Sequence, residues 1–127
     1  MSIVGQSGQY SAAEAFDPTA MLERIGGNMC LFAELVELFL EEYPPLVDQI
    51  RLAIAEKDAN RLKHSAHKLR GAIGNFTVAR PYELARQLES LAQANNLNDT
   101  QSLLDSLADG VAQLASALKR SVSCSDS

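Results

Sequence analysis

Tryptophan is absent from this chain of 127 residues, and four phenylalanines and three tyrosines are its only aromatic residues. The hydrophobic 46% is therefore rich in leucine and alanine, a composition that favours helices over sheets. Long apolar runs are missing too. Each ends within a few residues at a Glu, Arg or Gln, which argues against a membrane-spanning helix and direct membrane insertion. The opening MSIVGQSGQYSAAEA has neither a basic start nor a long apolar stretch, so it does not read as a signal peptide. Residues 1–16 read instead as a flexible leader or the remnant of an interdomain linker. Cysteine is limited to Cys30 and Cys124, whose placement gives neither metal-ligand nor redox spacing; reduced thiols in the cytoplasm are the simplest expectation. Positive charge is in deficit, with 11 Lys and Arg against 16 Asp and Glu, and the formal charge of −5 disfavours a general nucleic-acid-binding surface.

What the chain does have is periodicity. Its length fits one domain, and burying roughly two-thirds of the unfolded surface supplies a core without a staple. Asp17-Pro18 makes a suitable N-cap and first turn and Gly26-Gly27 a suitable stop, so residues 18–25 are expected to form a short helix over one end of the core. From about Asn28 to Glu56, Leu31, Leu35, Phe39, Leu46, Ile50 and Ala53 keep one stripe in phase. Pro44-Pro45 interrupts the backbone ladder there, and the preserved phase predicts two nearly collinear segments with a kink near Tyr43. Asp58 is placed to cap a helix that runs to about Phe76. Pro81 suits the first turn of the next, marked by Leu84, Leu88 and Leu91 and ending near Asn95-Asn96. Asp99 starts the last, where Leu104, Leu107, Val111, Leu114 and Leu118 alternate three- and four-residue steps. The expectation is an all-α, antiparallel four-helix up-down bundle with a short N-terminal capping helix over residues 17–120, followed by a flexible tail at 121–127.

One segment, AHKLRGAIGNF at residues 66–76, carries chemistry that a core does not require. Leu62, Ala66, Leu69, Ile73 and Phe76 fall on one side of a helix, and His67 points about 140° from their mean direction. Beside His67 lie Lys63, His64, Gly71 and Gly74. Each helical glycine costs roughly 1 kcal/mol relative to alanine, so two of them after His67 point to a body that must approach the backbone closely. That body is expected to be acidic or to carry a phosphoryl group. Between Lys57 and Gly71, Lys57, Arg61, Lys63, Lys68 and Arg70 stand against only Asp58, reversing the sign of the whole chain.

Read together, these residues resemble the signature of histidine-containing phosphotransfer (HPt) domains: a histidine followed by Leu, a basic residue and Gly, then small residues. The similarity extends through FDPTAMLERIGGN, LVELFLEEYPPLVDQIRLAIAEKDANRLKHSAHKLRG and LARQLESLAQ, covering about residues 17–118. It implies a non-catalytic phosphocarrier in which His67 is the phosphoacceptor, taking a phosphoryl group from a receiver-domain aspartyl phosphate and passing it to another response regulator. Arg70 would be the motif's basic residue; many members carry Lys there, which keeps the charge and changes its geometry. Arg70 and Lys63 would offset phosphoryl charge. Glu89 falls where relatives place a polar residue bonded to the other imidazole nitrogen, and His64, Lys68, Gly71, Gly74 and Asn75 would face the docking receiver. No intrinsic cofactor is implied, since the Mg and the acidic pocket belong to the receiver. A hybrid sensor histidine kinase, in cis or in trans, is a compatible partner.

Two other classes compete. His64 and His67 project from neighbouring turns and would suit a metal, but the Glu-x-x-His pattern of carboxylate-bridged bundles is absent, since Arg61 precedes His64 and His64 precedes His67 at that spacing. A purely structural interaction bundle would explain the final helix and leave the basic, glycine-flanked histidine unexplained. A kinase dimerisation domain fits less well, because Lys68 follows His67 where such histidine boxes commonly carry an acid.

Overall fold

Short polar side chains start the first two of four helices. In the computed structural model, which describes residues 23–77 and 79–122, the Asn28 side chain accepts a hydrogen bond from the Leu31 amide (2.9 Å) and that of Asp58 from the Arg61 amide (3.1 Å). Each satisfies a first-turn donor that the helix leaves unpaired. The helices are α1 (Met29–Ala55), α2 (Ala59–Gly74), α3 (Arg80–Gln93) and α4 (Thr100–Ser121), with no strand among the described residues. The connections, residues 56–58, 75–79 and 94–99, are short enough to make sequence neighbours antiparallel. α2 packs on α1 and α3, and α4 closes the ring against α3 and α1. The result is a four-helix bundle with one core.

Of the expected capping helix only the end is described: Glu23 and Arg24 are helical, and Gly26 and Gly27 follow at φ +73° and +76°, where only glycine sits without strain. Residues 18–22 of that helix, the leader and residues 123–127 lie outside the described residues.

Two expectations change. α1 is a single helix through Pro44 and Pro45, not two segments. Both prolines are exposed, and Phe39 before them and Val47 and Ile50 after them are buried, so packing on either side carries the helix across the missing amide donors. The buried stripe of α1 is half as expected: Phe39, Ile50 and Ala53 face inward, while Phe32, Val36 and Val47 are buried in place of their neighbours Leu31, which stays exposed, and Leu35 and Leu46, which are only half-buried. Leucine lies on both sides of α1, and Leu38 and Leu52 remain exposed as well, so hydrophobicity alone left the face ambiguous. The start of α4 is as expected: Asp99 stands at its N-cap, at φ +62°, and the buried Thr100 hydroxyl donates to the Leu97 carbonyl (2.8 Å).

Cys30 is not a reduced thiol either, being disulfide-bonded, and so lends no support to a reducing compartment. No described helix is long and apolar enough to cross a membrane.

The inner face of α2 is the best-anchored part of the bundle. Leu62, Ala66, Leu69 and Ile73 are fully buried, as are Leu88 of α3 and Leu104, Leu107, Val111, Leu114 and Leu118 of α4. Each leucine or isoleucine contributes about 1.5–3 kcal/mol by leaving water. Phe76 closes the end of the stripe edge-on to Phe39, with ring centroids 5.4 Å apart. Those contacts fix the rotation of α2 about its axis, and therefore the direction of its opposite face.

Candidate functional site around His67

That opposite face presents His67, whose side chain is 60% exposed. The tight α2–α3 contact brings Glu89 and Tyr82 of α3 to the same place. Nδ1 of His67 lies 2.9 Å from Oε2 of Glu89, and Arg70, one turn along α2, donates from Nε to the other oxygen, Oε1, at 2.8 Å. Arg70 also donates from Nη1 to the Tyr82 hydroxyl at 3.0 Å. One carboxylate thus bridges the histidine and the arginine.

Nη2 of Arg70 lies 2.9 Å from the same Nδ1. A carboxylate only accepts and a guanidinium only donates, so the two contacts require opposite states of that nitrogen. With the proton on Nδ1, the imidazole donates to Glu89 and Nε2 keeps its lone pair. With Nδ1 bare, Arg70 donates to it and the proton moves to Nε2. The first state is favoured, because its hydrogen bond ends on a full negative charge while Arg70 is already held by Glu89 and Tyr82. Nε2 is then the unprotonated nitrogen of a side chain that is 60% exposed.

Electrostatics hold this arrangement in place. Burial alone would push the Glu89 carboxyl up, but the hydrogen bonds and charges of His67 and Arg70 outweigh it and hold Glu89 below the usual carboxylate range. For Arg70, the hydrogen bond to Tyr82 leads and, against some desolvation, joins Glu89 in raising its already high value.

The other candidate residues scatter around this cluster. Gly71 is exposed, and a β-carbon there would meet nothing within 4 Å. Gly74 differs: a β-carbon would lie 3.1 Å from Cε2 of Tyr82, so the open space expected there is filled by a tyrosine ring. His64 turns away, its Nδ1 donating to the Asn60 carbonyl of the preceding turn (2.9 Å). Lys68 is exposed and Lys63 half-buried; neither joins the His67 network. Asn75 caps the end of α2 and its carbonyl accepts from Arg24 (2.7 Å). The basic run is weaker than its sequence count, since Arg61 pairs with Glu56 and Arg70 with Glu89. No group of three potential ligands is placed to hold a metal among the described residues.

Sequence reasoning missed Tyr82. A signal existed, because Tyr82 and Glu89 are seven residues apart and share a face of α3.

A four-helix bundle with one exposed, carboxylate-held histidine defines a histidine phosphocarrier class, and comparison with known proteins agrees. The Hpt domain family matches residues 34–117, and the chain belongs to that family. It is therefore a phosphotransfer domain of two-component signalling, a phosphocarrier module whose partners are receiver domains and histidine kinases. Among solved structures the fold is similar to that of the HPT domain from a sensor hybrid histidine kinase of Shewanella, at a TM-score of 0.72 and 22% identity, over 85% of this chain and 93% of that one. No curated protein sequence matches the chain significantly.

Proposed function

We propose that His67 is the phosphoacceptor of a phosphorelay. Nε2 attacks the phosphorus of a receiver aspartyl phosphate, the N–P bond forms as the bond to the aspartyl oxygen breaks, and the aspartate leaves as a carboxylate. The proton on Nδ1 stays in its hydrogen bond to Glu89, whose negative charge balances the ring as it loses electron density. Arg70, whose Nη2 lies 2.9 Å from Nδ1 of the same ring, supplies a positive charge beside the incoming phosphoryl group. Transfer to the aspartate of a second response regulator is the same step reversed. Mg²⁺ and the acidic pocket are supplied by the receiver.

The observation that carries this reading is the division of the imidazole: Nδ1 is engaged by Glu89, which leaves Nε2 to act from a side chain that is 60% exposed, opposite a fully buried helix face. Gly71, Lys68 and Asn75 form the rest of the surface that a receiver meets, with Lys63 and His64 on the preceding turn. We place the domain in the cytoplasm beside a sensor kinase, in cis or in trans; the Shewanella neighbour comes from a hybrid kinase. The test mixes the chain with phosphorylated receivers and measures acid-labile phosphate on it. Transfer is expected to the native chain and to His64→Gln, and to vanish in His67→Gln with the melting temperature preserved. Undiminished phosphate on His67→Gln would sink the assignment.

A further inference from the structure

Tyr82 has no part in the transfer step just described, yet three features tie it to the step's geometry. Its hydroxyl accepts from Nη1 of Arg70 at 3.0 Å. Its ring stands under the guanidinium, with Cζ of Arg70 5.7 Å from the ring centroid. The edge of that ring rests on bare backbone of α2 at Gly74, where a β-carbon would stand 3.1 Å from Cε2 and 3.4 Å from Cδ2. Gly74 is thus a seat for the tyrosine, and the tyrosine a stop for the arginine. Resting on the phosphoacceptor reading of His67, we infer that Tyr82 is a positioning residue: it restrains the Arg70 guanidinium so that one oxygen of Glu89 remains available to Nδ1 of His67.

The geometry of arginine explains why a restraint is needed. Nε and Nη2 form the edge that closes side-on over both oxygens of a carboxylate, the strongest pairing open to a guanidinium. Arg70 already donates from Nε to Oε1 of Glu89, so a small rotation would bring Nη2 onto Oε2. That oxygen is the one His67 uses. With Oε2 captured by Arg70, the imidazole loses the acceptor that keeps its proton on Nδ1, and the tautomer with a protonated, non-nucleophilic Nε2 gains population. The bond from Nη1 to Tyr82 opposes that rotation, because it holds the planar group at a second edge. Glu89 is shared between two donors only while Tyr82 keeps the arginine from taking both oxygens.

Tyr82→Phe in the full chain isolates the hydroxyl, since the ring and its contact with Gly74 remain. Three measurements decide the matter: imidazole ¹⁵N shifts of His67, the rate of phosphoryl transfer from a phosphorylated receiver, and the same rate on an Arg70→Ala background. We expect an unchanged melting temperature, ¹⁵N shifts moved away from the Nδ1–H form, and transfer slowed about three- to tenfold, the worth of one hydrogen bond. On Arg70→Ala, adding Tyr82→Phe should change nothing, because the hydroxyl acts through the arginine. A tyrosine that merely packs would leave the shifts and the rate of Tyr82→Phe at native values, which overturns the inference. An equal slowing on the Arg70→Ala background overturns it as well. A native chain that takes phosphate from no receiver refutes the phosphoacceptor reading instead, and in that case the ¹⁵N shifts alone still decide whether Tyr82 governs the imidazole proton.

Discussion

Replacing Gly71 with glutamine should raise stability and lower transfer, and the opposite signs make this the most informative single substitution on the proposed docking face. Gly71 lies within α2, its φ is not in the left-handed region, and a β-carbon would meet nothing within 4 Å. Glutamine therefore gains helix propensity and restricts the unfolded chain without overpacking, together about 0.5–1 kcal/mol. For a domain of this size that is a rise of roughly 2–4 °C in Tm. At the partner's surface the sign reverses. The new side chain rises four residues after His67, next to it on the helix surface, where, if His67 is the phosphoacceptor, a receiver must bring its aspartate to within bonding distance of Nε2. Crowding of a packed contact by several methylenes costs about 1–3 kcal/mol, or roughly 5- to 150-fold in transfer efficiency. Thermal melting by circular dichroism and receiver titration, on one purified sample, read both effects. A drop in Tm would show that Gly71 serves internal packing, and native transfer at raised Tm would show that nothing docks there. Gly74→Ala is the control: its β-carbon must displace the Tyr82 ring by a few tenths of an ångström, so it should gain less stability and disturb Arg70 from within the bundle.

Arg70→Lys keeps the charge but cannot bond Glu89 and Tyr82 together from one planar group, so transfer should fall below native and stay above Arg70→Ala, with stability lowered by no more than about 1 kcal/mol in either; stopped-flow transfer and melting on the three proteins check the order, and equal rates would make Arg70 an ordinary surface charge. For Glu89, whose folded pKa is lowered, the sign follows directly: its ionised form stabilises the fold fully above its unfolded value, and that contribution is lost as pH falls through the folded one. The Tm advantage of the native chain over Glu89→Gln should therefore be constant at neutral pH and shrink as pH falls below about 4.3, and an advantage independent of pH across that window would refute the charge-based account.

The elements that periodicity revealed are those whose neighbours do not matter to the pattern. α4 has a single apolar stripe, and Leu104, Leu107, Val111, Leu114 and Leu118 are all fully buried. Asp58 caps α2 through a contact three residues away in sequence, which spacing alone can read. α1 resisted in part because leucine occupies both its faces, and only packing on α2 and α4 selects Phe32, Val36 and Val47 over Leu31, Leu35 and Leu46. Charge counting failed for a related reason: Arg61 and Arg70 look like free cations until the fold supplies Glu56 and Glu89.

The two glycines after His67 show where sequence reasoning stops. They are the same residue, three positions apart on one helix, and they appeared to serve one purpose. Three residues turn a helix through about 300°, so they differ by about 60° in direction, enough for Gly71 to face open space and Gly74 to face α3. What a missing side chain makes room for is decided by the neighbouring helix, and its register against α2 follows from the burial of Leu84, Leu88 and Ala85, not from any spacing within residues 66–76. That register sets Tyr82 against Gly74 and Glu89 against His67 in a single step, since the two lie two turns apart on α3. Any change that slides α3 along α2 should then displace the tyrosine's seat and the histidine's acceptor together, which couples the orientation of the imidazole to the packing of the bundle beneath it.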